Sequence, residues 1–335
     1  MAKVLIGDIL APDIWERAFI KRTAELAAFV QSGIISNDPA YAARAAGGGN
    51  TVNMPFFTDL SGARQILTGA GDLSVNGLSE IKDVACIQED AQAWSVNVLA
   101  EFVSGEDPMA AIASLIGTYW ARVDQLALIA TLKGVFSVAT MAGNLLSILA
   151  ESTPAVTDST RLNGVTFIDA LQKLGDAKEG LTAIAMHSAV EAALRKQDMI
   201  DTIPDSQSGK PIALFQGRRV VVDDGLPTRA GTTSGTVYRT YVFGAGAIGQ
   251  GFASLSTPLA TGTGTQGVEY ARAALSSDDI LINRRRYILH PRGVKWLAGT
   301  CVGSSPTDLE LATTNNWLRV FEAKQVKLVA IDHNI

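Results

Sequence analysis

From Leu181 to Met186 the chain is apolar for the length of a strand. His187 and Ser188 then lead into a pattern in which Ala189, Val190, Ala193 and Leu194 recur at three- and four-residue spacing. A strand therefore passes straight into an amphipathic helix. Further on, Gly217 is placed to make a turn, Val220 to Val222 form a short β-branched strand, and Asp223 to Pro227 carries turn chemistry. Val268 to Ala274 and Asp279 to His290 read as two strands joined by Ser276 to Asp278. The second spans about 36 Å at about 3.3 Å per residue. Asp107 is an N-cap candidate and Pro108 suits the first helical position. Met109, Ile112, Ile116, Tyr119, Val123, Leu126 and Ala130 then recur by threes and fours as far as Lys133. That pattern predicts one long amphipathic helix of about 39 Å.

Ahead of this helix, Trp15, Phe19, Leu26 and Phe29 share one face of a helix predicted from about Pro12 to Gln31, and Ala45 to Gly49 form a flexible joint. Residues 1–50 thus read as an arm whose apolar face needs a partner, either a neighbouring subunit or its own domain. Thr51 to Phe57 is extended, Leu60 to Lys82 is rich in Gly, Ser and Asp, and the chain returns as a strand around Asp83 to Gln88. Such flanks describe a projecting β-hairpin or a surface loop. At the far end, Asn316 to Ile331 closes on the alternating Val326, Leu328 and Ala330, with Ile331 beside them, and so ends as a strand.

Composition narrows the class. With 335 residues, 47% hydrophobic and 18% charged, the chain is a foldable globular protein, and its formal net charge of -5 argues against a protein that coats nucleic acid. Cys86 and Cys301 lie far apart in sequence and only three histidines occur, which disfavours a disulfide framework or a zinc site. The N-terminal segment, broken by Asp8 and Asp13, is not a signal peptide. Gly134 to Ala150 is uncharged but short for a membrane span and diluted by Gly, Ser, Thr and Asn.

Catalytic signals are thin. Gly244, Gly246 and Gly249 have the spacing of a dinucleotide-binding loop, after a possible strand at Tyr241 to Phe243 and with Glu269 downstream. That motif needs a helix directly after it, and the following FASLSTPLATGTGTQG, with Pro258 and further glycines, cannot supply one. His187, His290 and His333 lack a nucleophile and carboxylate in a recognisable arrangement. Asp223 with Asp224, and Asp278 with Asp279, alternate sides or sit in turns, so neither makes an acid–base pair. Arg284, Arg285 and Arg286 on one strand point to both faces, which suits salt bridges between subunits better than a nucleic-acid site.

The strand and helix AIAMHSAVEAALRK, the segment LFQGRRVVVDDGLP and the hairpin ending DDILINRRRYILHPRGVKW follow one another in an order that resembles the major capsid protein of tailed bacteriophages. That fold also occurs in herpesvirus capsid floors and encapsulin shells. The resemblance implies an α+β fold. Its parts are an N-terminal arm (1–50), an extended β-hairpin loop (51–95), a peripheral domain (96–149 and 266–310) with a spine helix at about 108–133, an axial domain (150–265) and a C-terminal strand (311–335). It implies a structural protein, not an enzyme, without cofactor or metal. Such a protein self-assembles through pentamers and hexamers into an icosahedral shell around a double-stranded DNA genome, held without sequence-specific binding. A separate scaffolding protein, a portal and a decoration protein are the implied partners. The implied location is the virion capsid, assembled in the host cytoplasm without a membrane. Intersubunit contacts are expected from Trp15, Phe19, Arg64, Asp72, Glu80, Asp83, Arg284, Arg285 and Arg286. Two other functions stay open at this point: an encapsulin compartment with an enzyme cargo, and a nucleotide-binding oxidoreductase built around Gly244.

Overall fold

Two sheets and one long helix organise the chain. The computed structural model describes residues 29–58, 60, 64–66, 75, 77–78, 80–97, 108–204, 211–253, 268–273 and 278–335. Strand β1 (Ile35–Asn37) and helix α1 (Pro39–Ala45) precede β2 (Thr51–Phe57) and the 18-residue β3 (Glu80–Asn97). Helix α2 (Pro108–Val135) follows. Next come β4 (Leu145–Ser147), α3 (Gly164–Leu171), β5 (Ala183–Met186), α4 (Ser188–Lys196), β6 (Ile200–Pro204), β7 (Pro211–Phe215), β8 (Arg218–Val222), β9 (Thr228–Ala230) and β10 (Thr236–Phe243). The chain continues through β11 (Ile248–Phe252), β12 (Val268–Arg272), β13 (Asp278–Pro291), β14 (Val294–Trp296), α5 (Asp308–Leu311), β15 (Trp317–Arg319) and β16 (Leu328–His333).

Strands β1, β11, β13, β3 and β2 form one sheet in that order, with β12 also on β13. The second sheet runs β4, β16, β10, β5, β8, β7, β6, with β9 also on β10. Its central strands are apolar on both faces because both are covered. Ala183, Ala185, Tyr241, Phe243, Leu328 and Ala330 share a cluster with α2. Ile184, Met186, Val242, Val329 and Ile331 share another with Phe167, Ala170 and Leu171 of α3 and Val190 and Leu194 of α4. This two-sided cover is why all six residues of β16 are buried, where an alternating strand was expected. The C-terminal strand is inserted beside β10, so it belongs to the sheet built mainly from the 150–245 region. Strand β11 instead joins the other sheet, so the chain changes sheet at Gly244, ahead of the expected boundary at 265.

The expected handover at His187 is present, with the His187 imidazole accepting from the backbone N–H of Ala189 at the start of α4. Helix α2 also lies where its periodicity puts it, but its buried stripe is rotated. Gln125, Leu128, Leu132 and Val135 face inward, whereas Leu126 is 54% exposed. At Gly134 the helix has no room for a side chain, since an added Cβ would stand 2.0 Å from the Leu311 carbonyl oxygen. That oxygen accepts from the Trp317 indole N–H at 2.7 Å.

Residues 29–50 lie on the body of the protein and do not stand off as an arm. Phe29 is fully buried against the rings of Tyr241 and Phe243, β1 pairs in parallel with β11, and α1 rests on β11. The rest of the predicted arm helix, with Trp15 and Phe19, lies outside the described residues. The glycine run that suggested a nucleotide loop has a different role: β11 is a strand where the motif needs a helix. A Cβ at Gly249 would meet the Tyr41 ring at 2.3 Å, and one at Gly251 the Ala42 nitrogen at 2.3 Å. These glycines let α1 sit directly on the sheet. Cys86 and Cys301 are free thiols, and no helix among the described residues is long and apolar enough to cross a membrane.

His333 is wholly buried. Its Nδ1–H donates to the Asn334 carbonyl and its Nε2 accepts from the Thr240 hydroxyl, both at 2.9 Å, so the ring is held neutral. Burial pushes its pKa down to about 4. The unfolded ring binds a proton more readily, so this contribution is complete above about pH 6.5 and is lost as pH falls from there toward about 4. Chemical denaturation of the isolated protein is expected to show about 2 kcal/mol less stability at pH 5 than at pH 7 from this residue. His333→Gln should flatten that part of the slope, and an unchanged slope would remove the residue from the account.

Candidate assembly surface

The β2–β3 hairpin leaves the first sheet as a two-stranded ribbon. Strand β2 pairs with β3 from Thr51↔Cys86 to Phe57↔Glu80, whereas β13 takes up β3 only from Ile87 onward. Strand β3 is much longer than the Asp83 to Gln88 stretch expected from the sequence. Alternation along β2 turns Val52, Met54 and Phe56 toward the body, and Phe56 meets Phe321 edge-on at 4.6 Å. Pro55 on the outer edge removes a donor from the open side of the ribbon. Beyond this anchored part Phe57, Leu60, Ile66, Leu78 and Val75, the last 94% exposed, carry apolar surface into solvent.

The root of the ribbon is pinned from inside. Asp83 is buried, 3.0 Å from His290 Nε2, and it also accepts from the Gly293 backbone N–H at 3.2 Å. This carboxylate, expected at an interface between subunits, is thus engaged within its own chain. Glu80 and Arg64 are exposed, and Asp72 lies outside the described residues.

The three arginines divide. Arg285, opposite Asp90 in the β13–β3 ladder, has Nη2 3.0 Å from Asp90 Oδ2 and 2.6 Å from Asp124 Oδ1 of α2. Its guanidinium carbon lies 4.0 Å from the centroid of a Trp120 ring and 4.6 Å from that of Tyr287. The Tyr287 hydroxyl donates to Asp90 at 2.9 Å. Burial holds the Asp124 carboxyl above its usual range, with the Arg285 contact opposing that rise, and burial likewise pushes the Tyr287 phenol up. Arg285 therefore joins three elements of one subunit. Arg286 lies 3.4 Å from Glu89 and donates to the Gly49 carbonyl at 2.7 Å, which ties the chain just before β2 to β13. Arg284 is the exposed member of the three.

The second sheet offers other surfaces that sequence reasoning missed. Glu151 receives two hydrogen bonds from the Arg229 guanidinium, at 2.7 and 3.0 Å. It accepts two more from the Thr232 N–H and hydroxyl, and these contacts hold its pKa down to about 2. It pins the β9–β10 loop. On α3, Val165 and Ile168 are exposed while Phe167, Ala170 and Leu171 are buried, so this short helix is apolar on both sides. Val302, 95% exposed, and Leu309 are likewise exposed apolar side chains after β14. An apolar helix of that kind, GVTFIDAL, was the available signal. No cluster of His, Cys, Asp and Glu among the described residues could hold a metal ion.

No protein-family model matches the chain. It is 41% identical over 337 residues to the major capsid protein of Bacillus phage SPP1, across 100% of this chain and 99% of that protein. Among solved structures it superposes on the capsid of Ralstonia phage GP4 with a TM-score of 0.61 at 12% identity, covering 100% of this chain and 98% of the other. The holo-SrpI encapsulin complex from Synechococcus elongatus gives a TM-score of 0.50 at 11% identity over 76% of this chain and 77% of the other. These two structural likenesses concern the fold.

If Asp83 is an internal pin, Asp83→Ala should destabilise the unassembled subunit by about 3 kcal/mol, because it leaves buried His290 and the Gly293 N–H without their acceptor. Amide exchange of β2 should speed up in the same variant. Wild-type melting of the subunit together with failed assembly would instead return Asp83 to an interface.

Proposed function

The chain belongs to the major capsid protein family of tailed bacteriophages, and from that premise we propose how its surfaces build the icosahedral shell around the double-stranded DNA genome. Subunits associate with copies of themselves into pentamers and hexamers. The second sheet, with α3, α4 and the inserted β16, forms the axial domain around those centres. Helix α2, β3, β13 and the β14–β15 region form the peripheral domain. The mechanism is assembly: many modest interfaces, each repeated by symmetry, add up through multivalency.

The observation that carries this reading is the apolar end of the β2–β3 hairpin on an internally anchored root. A side chain such as Phe57 contributes about 1.5–3 kcal/mol when it passes from water into a partner's surface. A neighbouring subunit supplies that cover. Trp15 and Phe19 of the N-terminal segment act in the same way, and Arg284 pairs across the boundary with Glu80 or Asp72 of a neighbour. Arg64 contributes a further contact on the hairpin. Asp83, Arg285 and Arg286 support these contacts from within. A separate scaffolding protein sets up the shell, a portal occupies one vertex and a decoration protein is a further partner, with assembly in the host cytoplasm. The encapsulin reading gives way because the full-length relative is a phage capsid protein. The oxidoreductase reading ends with β11, a strand in the place of the required helix.

Electron microscopy of particles made with this chain should show closed shells, DNA-filled when the packaging machinery is present. Uniform shells from the chain alone would count against a scaffolding protein. The double change Phe57→Ser with Leu78→Ser should abolish shells while shifting subunit stability by no more than about 0.5 kcal/mol, since both side chains already face water. A normal yield of stable shells from that variant would refute the contact.

A further inference from the structure

The Arg285 cluster has a consequence beyond holding one subunit together. Toward its C-terminus α2 buries Leu128, Leu132 and Val135 in an apolar seat that includes Tyr241, Phe243 and Leu289. Toward its N-terminus the helix meets the first sheet through Asp124 and Trp120 against Arg285, which also lies over Tyr287, and through Tyr119 edge-on to Trp94. Apolar packing tolerates small rotations of a helix, because ridges and grooves fit over a range of crossing angles. A guanidinium placed between an aromatic ring of the helix, an aromatic ring of the sheet and two carboxylates on different elements does not. Resting on the reading of the chain as a shell subunit, we propose that Arg285, through Asp124 and Trp120, is a positioning residue that sets the angle between α2 and the β3–β13 strands and so the size of the shell.

The lever is long enough for this. Asp90, the ladder partner of Arg285, lies on β3 ten positions from Glu80, where the hairpin ribbon begins its exposed part. At about 3.3 Å per residue this separates the two by about 33 Å, so a rotation of about 5° at the cluster moves the hairpin by about 3 Å. The hairpin carries the apolar contact to the next subunit, and a shift of that size changes the tilt between neighbours. Summed around a closed surface, a changed tilt is a changed radius. The ion pair also reaches 195 residues along the chain from Asp90 to Arg285, so it forms only when sheet and helix have met.

The test replaces Arg285 by Lys and, separately, Asp124 by Glu, and measures particle diameters by cryo-electron microscopy beside the melting temperature of each unassembled subunit. Lysine keeps the charge but loses the planar stack and the second contact, and glutamate lengthens the arm from the helix. For at least one variant the subunit should fold and its shells should show a diameter shifted beyond the wild-type spread, or a second size class. Folded variants that assemble with wild-type diameters, fail to assemble at all, or lose folding in both cases would overturn the inference. If wild-type protein itself formed no shells, the functional reading would fall instead.

Discussion

The seat of α2 is the constraint on which the rest of the subunit depends. Leu128, Leu132, Val135 and Phe136 meet Tyr241 and Phe243 from the second sheet and Ile248, Tyr287 and Leu289 from the first, with Phe29 closing the cluster. Neither sheet alone could bury this side of itself. Each of these side chains contributes about 1.5–3 kcal/mol on burial, so the cluster is the largest apolar reason for two sheets of different origin to hold one arrangement. Close approaches follow from it. Gly134 lets the Leu311 carbonyl touch the helix, and Gly249 and Gly251 let α1 touch β11.

Around this apolar centre the charged groups serve orientation. Arg239 and Asp332 form a paired fork between β10 and β16, at 2.6 and 2.7 Å, and Asn144 donates to three carbonyls of the chain leading into β16. Asn334 binds Ala150 through both its amide and its carbonyl. Such contacts add modest net stability, but leaving any one partner buried alone costs more. They fix the C-terminal strand in a single register within the second sheet, and with it the faces that the sheet presents.

Local signals made much of this legible in the sequence. The handover at His187, the two strands of the β12–β13 hairpin, the β2–β3 ribbon and the extent of α2 all follow from apolar periodicity and turn residues, which depend on neighbours a few positions away. What escaped depends on distance along the chain. Leu126 sits on a helical row that reads as buried, yet the helix is turned so that Gln125 and Leu128 face the sheets instead. Arg285 looks like a surface cation until β13 and β3 align and bring Asp90 opposite it. Likewise nothing local marks β16 as a central strand covered on both sides. Helix α3 carried a readable signal, apolar on opposite faces, but one face belongs to the core and the other to the exterior.

That division between inner and outer apolar groups bears on how a subunit can be stable before assembly and still assemble. At the hairpin root the Asp83 carboxylate is matched inside the chain by His290 and the Gly293 N–H, so this buried charge does not wait for a neighbour. In the proposed assembly what waits is apolar surface, and the exposed groups are Phe57, Leu60 and Val75 on the hairpin, Val165 and Ile168 on α3, and Val302 and Leu309 beyond β14. Apolar contacts are short-ranged and tolerant of small misalignment, so a misplaced subunit can leave again, whereas an unmatched buried charge would penalise every intermediate. A shell of many copies is held by repetition of such contacts, and each can remain weak enough to be corrected because its geometry is set by groups already locked within the subunit.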